Sequence, residues 1–544
     1  MSNYSSFPFV ESLTRELWPL DLSNLVILFA INLPIIAIAF TTLAQLIIPQ
    51  NPNEPPVVFH WLPYLGSAIE YGKDPVNFLK KCREKHGNVF TFILIGRRVT
   101  VALGPKGSNF ILGGKLSDVS AEEVYTPLTT PVFGQGVVYD CPNHMLMEQK
   151  KFVKVGLSLD NLRAYTEMIE NEVLRFLETD PCFYYYQTGD VDKWETFHAY
   201  RKMVELIILT ASLREAVDGA AFAQRYRDLD GGFTPLNMIF PNLPFPSYRK
   251  RDIAQKAMSD FYVGIIEKRR EEGRLHEDTD MIASLCTQSY KDGRQVTDRE
   301  VAHMMTALLM AGQHTSSTSG VWALMNIAAN PQIAEALYQE QLENFVTEDG
   351  TWRTMTFEQV KKIPLMDAAI RETLRRHHPI HSIMRKVISD MPVPPTLAAL
   401  KDESRTYVVP KGDMLLASPA VAQMDASIWK NPEVWDPYRW LDPSGAAADA
   451  LVQYDQGGEK VDYGFGQISK GTESVYQPFG AGRHRCIGEQ FAYLQLSTIL
   501  ATLVRHLELR MDEVPKHNYQ TMVTQPQGNC PVRYRKRLPP KRAA

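Results

Sequence analysis

The sequence predicts a mainly helical body with small peripheral β-sheets, carried behind a single N-terminal transmembrane helix. Three observations predict it. Apolar residues recur at helical spacing, as at Leu162, Tyr165, Ile169, Val173 and Phe176, and helical patterns dominate onward to about Arg376. The β-branched runs are short and interrupted by turn residues, as at Val89 to Ile95 and Val99 to Leu103 around Gly96-Arg97-Arg98. Leu22 to Asn53 contains no charged residue, and Leu25 to Ile48 is largely apolar.

Taken in order, residues 1–21 form a lumenal or amphipathic leading segment and 22–48 the anchor. A bilayer core needs about 20 apolar residues, which this run supplies. A cleaved signal peptide would have a basic n-region and a shorter apolar stretch. Glu11, Arg15, Glu16 and Asp21 precede the run instead, so a retained anchor is expected. Lys73, Lys80, Lys81, Arg83 and Lys85 follow the span and favour a cytoplasmic body. Residues 49–63 hold Pro49, Pro52, Pro55, Pro56 and Pro63 and read as a stiff connector. Residues 64–544 form the body. Within it, Pro75 to Lys85 reads as an amphipathic helix. Tyr407 to Val409 and Met414 to Ala417 read as a hairpin around Pro410-Lys411-Gly412-Asp413, and Gly445 to Gly471 as a surface loop.

Composition excludes several functions. The net charge of −4 fits neither a basic nucleic-acid binder nor an acidic tail. Cys82, Cys141, Cys182, Cys286, Cys486 and Cys530 are scattered without a CxxC pair, so neither a zinc site nor a disulfide framework is indicated.

The chemistry concentrates in Phe479-Gly480-Ala481-Gly482-Arg483-His484-Arg485-Cys486-Ile487-Gly488. A thiolate that binds a haem iron needs a loop whose backbone can approach the porphyrin, and small residues supply it. It needs cations and N–H groups nearby, and His484 and Arg485 flank the cysteine. It also gains from a helix beginning beside it, and Ile487 to Leu503 has that pattern. Glu372-Thr373-Leu374-Arg375 puts an acid and a base on one helix face. Thr297-x-x-Glu300 is a capping box, and Asn330-Pro331 a stop. They bound a helix from Asp298 to Ala329 that is about 48 Å long at about 1.5 Å per residue. In its middle, Ala311-Gly312-Gln313-His314-Thr315-Ser316-Ser317-Thr318 weakens the hydrogen-bond ladder and suggests an opened groove.

The cysteine stretch resembles the FxxGx(R/H)xCxG haem loop of the cytochrome P450 superfamily, with Phe479, Gly482, His484, Cys486 and Gly488 at the motif positions. By that resemblance, 64–544 is a haem-thiolate monooxygenase domain holding haem b, with Cys486 as ligand of the iron. Glu372 and Arg375 match the ExxR pair, joined by Arg439 in Asn431 to Trp440, as a structural network under the cysteine loop. Gly312, His314 and Thr315 match the oxygen-activation segment, with His314 where most relatives carry an acid. Thr315 would steer protons, with His314 in the relay.

Further stretches resemble the fungal-type sterol 14α-demethylase branch: Lys115 to Glu122, Leu128 to Gly134, Val138 to Pro142, Met147 to Lys154, Gly232 to Asn237 and Pro379 to Lys386. The resemblance implies that Tyr125, Tyr139, Lys150, Arg385 and His484 hold the haem propionates. It implies that Leu128, Thr129, Phe133, Val138, Phe233, Pro235, Met310, Ile380, Ser382 and Met522 line a sterol cavity, with Tyr125, Tyr139 and His314 at its edge. The implied reaction removes the 14α-methyl group of lanosterol or its 24-methylene relative in three steps. Each step uses O2 and two electrons from NADPH through a flavoprotein reductase, and formate is released. Azole inhibitors and a single-pass endoplasmic reticulum location follow from the same resemblance. The alternatives are a microsomal hydroxylase of another lipid and a non-catalytic membrane haem-binding protein. Two departures stand out. Thr210 to Glu215 runs almost directly into Phe222, as if residues were missing, and Ala481 replaces a frequent Gly, tolerable at negative φ.

Overall fold

The computed structural model describes residues 22–211, 219–275, 280–398, 406–455 and 471–540. The fold is mainly helical with small sheets at its edges. The leading segment 1–21 and the apparent gap around 212–218 lie outside the described residues. A helix occupies Leu22–Ile47, with Pro34 inside it. Among the described residues no helix is long and apolar enough to cross a membrane.

The proline-rich connector is tied down by side-chain amides. Gln45 Nε2 donates to His60 O at 2.8 Å, and Gln45 Oε1 accepts from His60 N at 3.1 Å. Gln50 does the same with Val57, at 3.0 and 2.8 Å. Gln45 thus ties the connector to the helix end and Gln50 closes a loop within it, each amide pairing with one backbone N–H and one C=O.

The central helix, Asp298–Ala329, starts and stops where its local signals put it. The Thr297 side chain accepts from Glu300 N, and Glu300 returns a bond to Thr297 N at 2.9 Å. Val321 to Ala328 are buried on every face, because helices Ala199–Ala211, Pro364–Arg376 and Glu489–His506 pack around this half, while Pro246–Glu271 packs on the first half. The helix expected at Pro75 runs Pro75–His86, capped by Asp74. The helix expected through Leu162 to Phe176 runs Leu159–Thr179, capped by Ser158.

Two sequence expectations are corrected. Val408–Val409 and Met414–Ala417 do not pair with each other. Val408–Val409 pairs with Met391–Pro392. Met414–Ala417 is the central strand of a five-stranded sheet, parallel to Arg97–Ala102 and antiparallel to Ile383–Val387. All four of its residues are buried, so it needs a neighbour on each side, and a two-stranded hairpin offers one. The second correction is Ala446–Asp455, a helix within the expected surface loop. Ala447, Ala450 and Tyr454 form its buried face. The rest of that loop, 456–470, lies outside the described residues.

Candidate active site

The cysteine loop is shaped by its own backbone. Cys486 N donates to Phe479 O at 3.0 Å, and Arg485 N to Gly482 O at 3.1 Å. This tight return needs left-handed residues, and Gly480 (φ +70°) and Gly482 (φ +67°) take them. Ala481 sits at φ −151°, where its methyl costs nothing. Cys486 lies deep in the body with its thiol open to a cavity. Burial pushes this thiol up, against a downward pull from the Gly488 N–H and from Lys150.

Arg485 does not face the sulfur as a free cation. It is paired with Glu489 at 2.9 Å, donates to Tyr454 O at 2.8 Å and lies 3.7 Å over the Tyr454 ring. The following helix begins at Glu489 rather than Ile487. Lys150 donates to Arg483 O and Arg485 O, both at 3.1 Å, and so holds the loop's carbonyls.

Under the loop lies the expected charge network. Arg375 is bidentate on Glu372 (Nε to Oε2 and Nη2 to Oε1, both 2.9 Å), and both side chains are 0% exposed. Arg439 Nε donates to Glu372 Oε1 at 3.0 Å, and Trp440 Nε1 to Glu372 Oε2 at 2.9 Å. Arg375 also donates to Gln423 O and Pro432 O, both at 2.8 Å. Gln423 completes the connection, accepting from Gln477 N at 3.1 Å just before the cysteine loop. Trp440, Gln423 and Gln477 had no signal in the sequence, since neutral amides and single indoles carry no spacing rule.

The central helix passes above the loop without a break. Thr315 Oγ1 donates to Ala311 O at 2.8 Å, and Ser317 Oγ to Gln313 O at 2.6 Å, sharing ladder carbonyls without opening the helix. The groove comes from Gly312 instead. A Cβ there would meet nothing within 4 Å. His314 turns away from the cysteine: its Nε2 is 2.6 Å from Asp230 Oδ1 and 3.2 Å from Tyr226 OH. Neither partner was foreseen, because both lie on a helix remote in sequence.

A cavity of about 2390 Å³ extends from Cys486, Gly312 and Thr315 toward Tyr71, Ser382 and Tyr519. Leu128, Thr129, Phe133, Val138, Phe233, Pro235, Ile380, Ser382 and Met522 line it, as expected, together with Tyr125, Tyr139, Arg385, His484, Phe479 and Gly488. Met310, His314, Lys150 and Gly482 do not border it. Met310 is 2% exposed and packed in the core beside Met304 and Ala307. Tyr71, also missed, donates to Ser382 Oγ at 3.0 Å.

The residues present fit a haem. Arg385 is 3% exposed, and among the described residues no carboxylate pairs with it; it donates to its neighbour Met384 O at 2.8 Å. Burial, with Arg385, Lys150 and Arg483 around it, holds His484 neutral. Tyr125 and Tyr139 lie 5.2 Å apart, and Tyr139 is 5.9 Å from His484. A buried guanidinium without an anion is costly. A dianionic group on this shelf, facing an open thiol, satisfies both sides.

Fold and site together define a haem-thiolate protein. The cytochrome P450 family model matches residues 55–530, and the chain belongs to that family. Among curated proteins it is 50% identical over 516 residues to a lanosterol 14-alpha demethylase of Mycosarcoma maydis, covering 91% of each. It is 47% identical to a sterol 14-alpha demethylase of Aspergillus fumigatus, covering 90% of this chain and 93% of that one. It is 45% identical to an eburicol 14-alpha-demethylase of Uncinula necator, covering 93% and 95%. The fold matches the retinoic acid-bound cyanobacterial CYP120A1 with a TM-score of 0.70 at 17% identity, over 90% of this chain and 100% of that one.

Proposed function

We propose that this chain is a sterol 14α-demethylase, converting lanosterol or 24-methylenedihydrolanosterol to the 14,15-unsaturated product with release of formate. The observation that carries the proposal is the long, mainly apolar cavity that ends on Cys486, Gly312 and Thr315. A rigid lipid needs such a wall, with few polar handles. Relatives named for lanosterol, sterol and eburicol demethylation support it.

Cys486 would ligate the iron, and Arg385, Tyr125, Tyr139 and His484 would hold the propionates. Bound there, haem b supplies the oxidation of the methyl carbon, each of three cycles consuming O2 and two electrons. The protein's part is positional. Phe133, Phe233 and Ile380 exclude water, and Gly312 leaves room above the thiol. Asp230 and His314 can carry a proton inward, and the Thr315 hydroxyl can hold it at the cavity edge.

Electrons would come from NADPH through a flavoprotein reductase, and azole inhibitors would bind in the same cavity. We place an endoplasmic reticulum membrane anchor in residues 22–48, with the body cytoplasmic. Its support is the uncharged run from Leu22 to Asn53. Removal of residues 1–48 should release the protein from membranes on flotation.

The deciding experiment incubates purified holoenzyme with reductase, NADPH and lanosterol, and identifies sterols by mass spectrometry. Loss of the 14α-methyl group with formate is expected. Haem-thiolate spectra without demethylation would overturn the reading. Thr315→Ala should uncouple NADPH consumption from product, and unchanged coupling would remove its assigned role.

A further inference from the structure

The segment Gly134 to Cys141 places Val138 against the sterol cavity and Tyr139 on the cofactor shelf. Val138 adopts φ +56°. A β-branched residue in the left-handed region is a genuine outlier and persists only where its surroundings over-determine it. Four groups fix the segment. Asp140 accepts from Gly136 N and Thr130 Oγ1, both at 2.8 Å. Thr126 Oγ1 donates to Tyr139 O at 2.6 Å. His303, held neutral by burial, faces Gln135 O through Nδ1 at 2.9 Å. The fourth is Gln149.

Gln149 is 3% exposed, and its amide is satisfied on both ends. Oε1 accepts from Val138 N at 3.1 Å, the strained residue itself. Nε2 donates to Gly136 O at 2.8 Å and to Tyr290 OH at 3.1 Å. Tyr290 OH in turn donates to Glu300 Oε1 at 3.1 Å, and Arg294 clamps both oxygens of Glu300 at 2.7 and 3.0 Å. Glu300 also closes the capping box of the central helix.

We propose that Gln149 is a positioning residue for sterol recognition: its amide, tied through Tyr290 and Glu300 to the start of the central helix, holds Val138 in its strained conformation against the sterol. An apolar side chain at 149 frees Val138 N, and the strain then returns the segment to an ordinary conformation. The cavity wall changes while the cysteine loop does not, because no bond of Gln149 reaches it. The proposal rests on the sterol reading above.

The test uses two probes on loaded holoenzyme, lanosterol and imidazole, titrated optically. Imidazole occupies the position opposite the thiolate and is too small to need Val138. Gln149→Leu should raise the lanosterol Kd about tenfold, the order that a strained residue's conformational energy sets. The imidazole Kd should stay unchanged, and the loss in kcat/KM should fall on KM. Equal shifts in both probes, or none in either, would overturn the proposal. If Gln149→Leu does not load haem, Tyr290→Phe decides: it keeps Gln149 and removes its outer tether. A rise of about threefold for lanosterol alone is expected there. An unchanged Kd would overturn the tether. Wild-type protein that binds imidazole but no sterol would instead overturn the sterol reading.

Discussion

Two polar networks support the site, and they are built from opposite materials. Below the cysteine loop the network is ionic: Glu372, Arg375 and Arg439, with Trp440 and Gln423 completing its hydrogen bonds. Beside the sterol wall it is amide and phenol: Gln149 and Tyr290, with charge only at the outer end, on Glu300 and Arg294. A buried ion pair is intolerant of losing a partner, because a desolvated charge remains. A neutral amide that loses a partner leaves a smaller debt, which a local shift can relieve. The ionic network suits a part that must never move, the cysteine loop. The neutral one suits a wall that only needs to be shaped.

Glu372→Ala tests this contrast at its strongest. It strands Arg375 at zero exposure and should cost about 3–5 kcal/mol. The expected outcome is little haem-loaded protein, read from haem content and urea unfolding. Near-normal loading would show that the network is dispensable.

Gly312→Val probes the groove above the thiol. No atom lies within 4 Å of the added Cβ, so the fold should stand. Demethylation should fall about a hundredfold, because displacement of the reacting carbon by about 1 Å carries that penalty. Unfolding midpoints serve as the control.

Trp440→Phe removes one donor from Glu372 and keeps the ion pairs. It should cost about 1–2 kcal/mol in urea unfolding, well below the loss of Glu372. Equal costs would mean that the indole, not the charge, carries the network.

The smallest effect concerns pH. Glu340 caps the helix that bears Glu372, accepting from Leu365 N at 2.7 Å and Met366 N at 3.1 Å. Burial, outweighing those bonds, pushes its carboxyl up to about 7 from an ordinary 4.5, and Glu343 and Asp367 add to the rise. Between those values the folded state keeps a proton that the unfolded chain releases. This stability is full below pH 4.5 and is lost as pH rises through about 7. Glu340→Gln should flatten the fall of unfolding free energy between pH 5 and pH 8, measured against wild type.

Much of this arrangement was legible because its signals are local. The capping box at Thr297 and the Asn330-Pro331 stop set both ends of the central helix, since cap and proline chemistry act within one turn. The Glu372–Arg375 pair follows from helical spacing, and the cysteine loop from its glycines. What was misread depends on partners distant in the chain. Met414–Ala417 looked like half of a hairpin, but it sits between strands contributed by residues 97–102 and 383–387. Tyr454 lay in an expected loop, yet its hydroxyl donates to Gly480 O at 2.9 Å and its ring carries Arg485. Arg485 looked like a cation for the sulfur, and the fold pairs it with Glu489.

By itself, then, the sequence determined the helical class, the cysteine loop, the acid–base pair beneath it and the bounds of the helix above. Each depends on residues within a few positions of one another. Only the tertiary structure decided which amides and phenols hold those parts in place: Gln423 under the loop, Tyr226 on His314, Gln149 behind Val138. A neutral hydrogen bond has no periodicity and no charge to betray it. Its partner is whichever group the packing brings within about 3 Å.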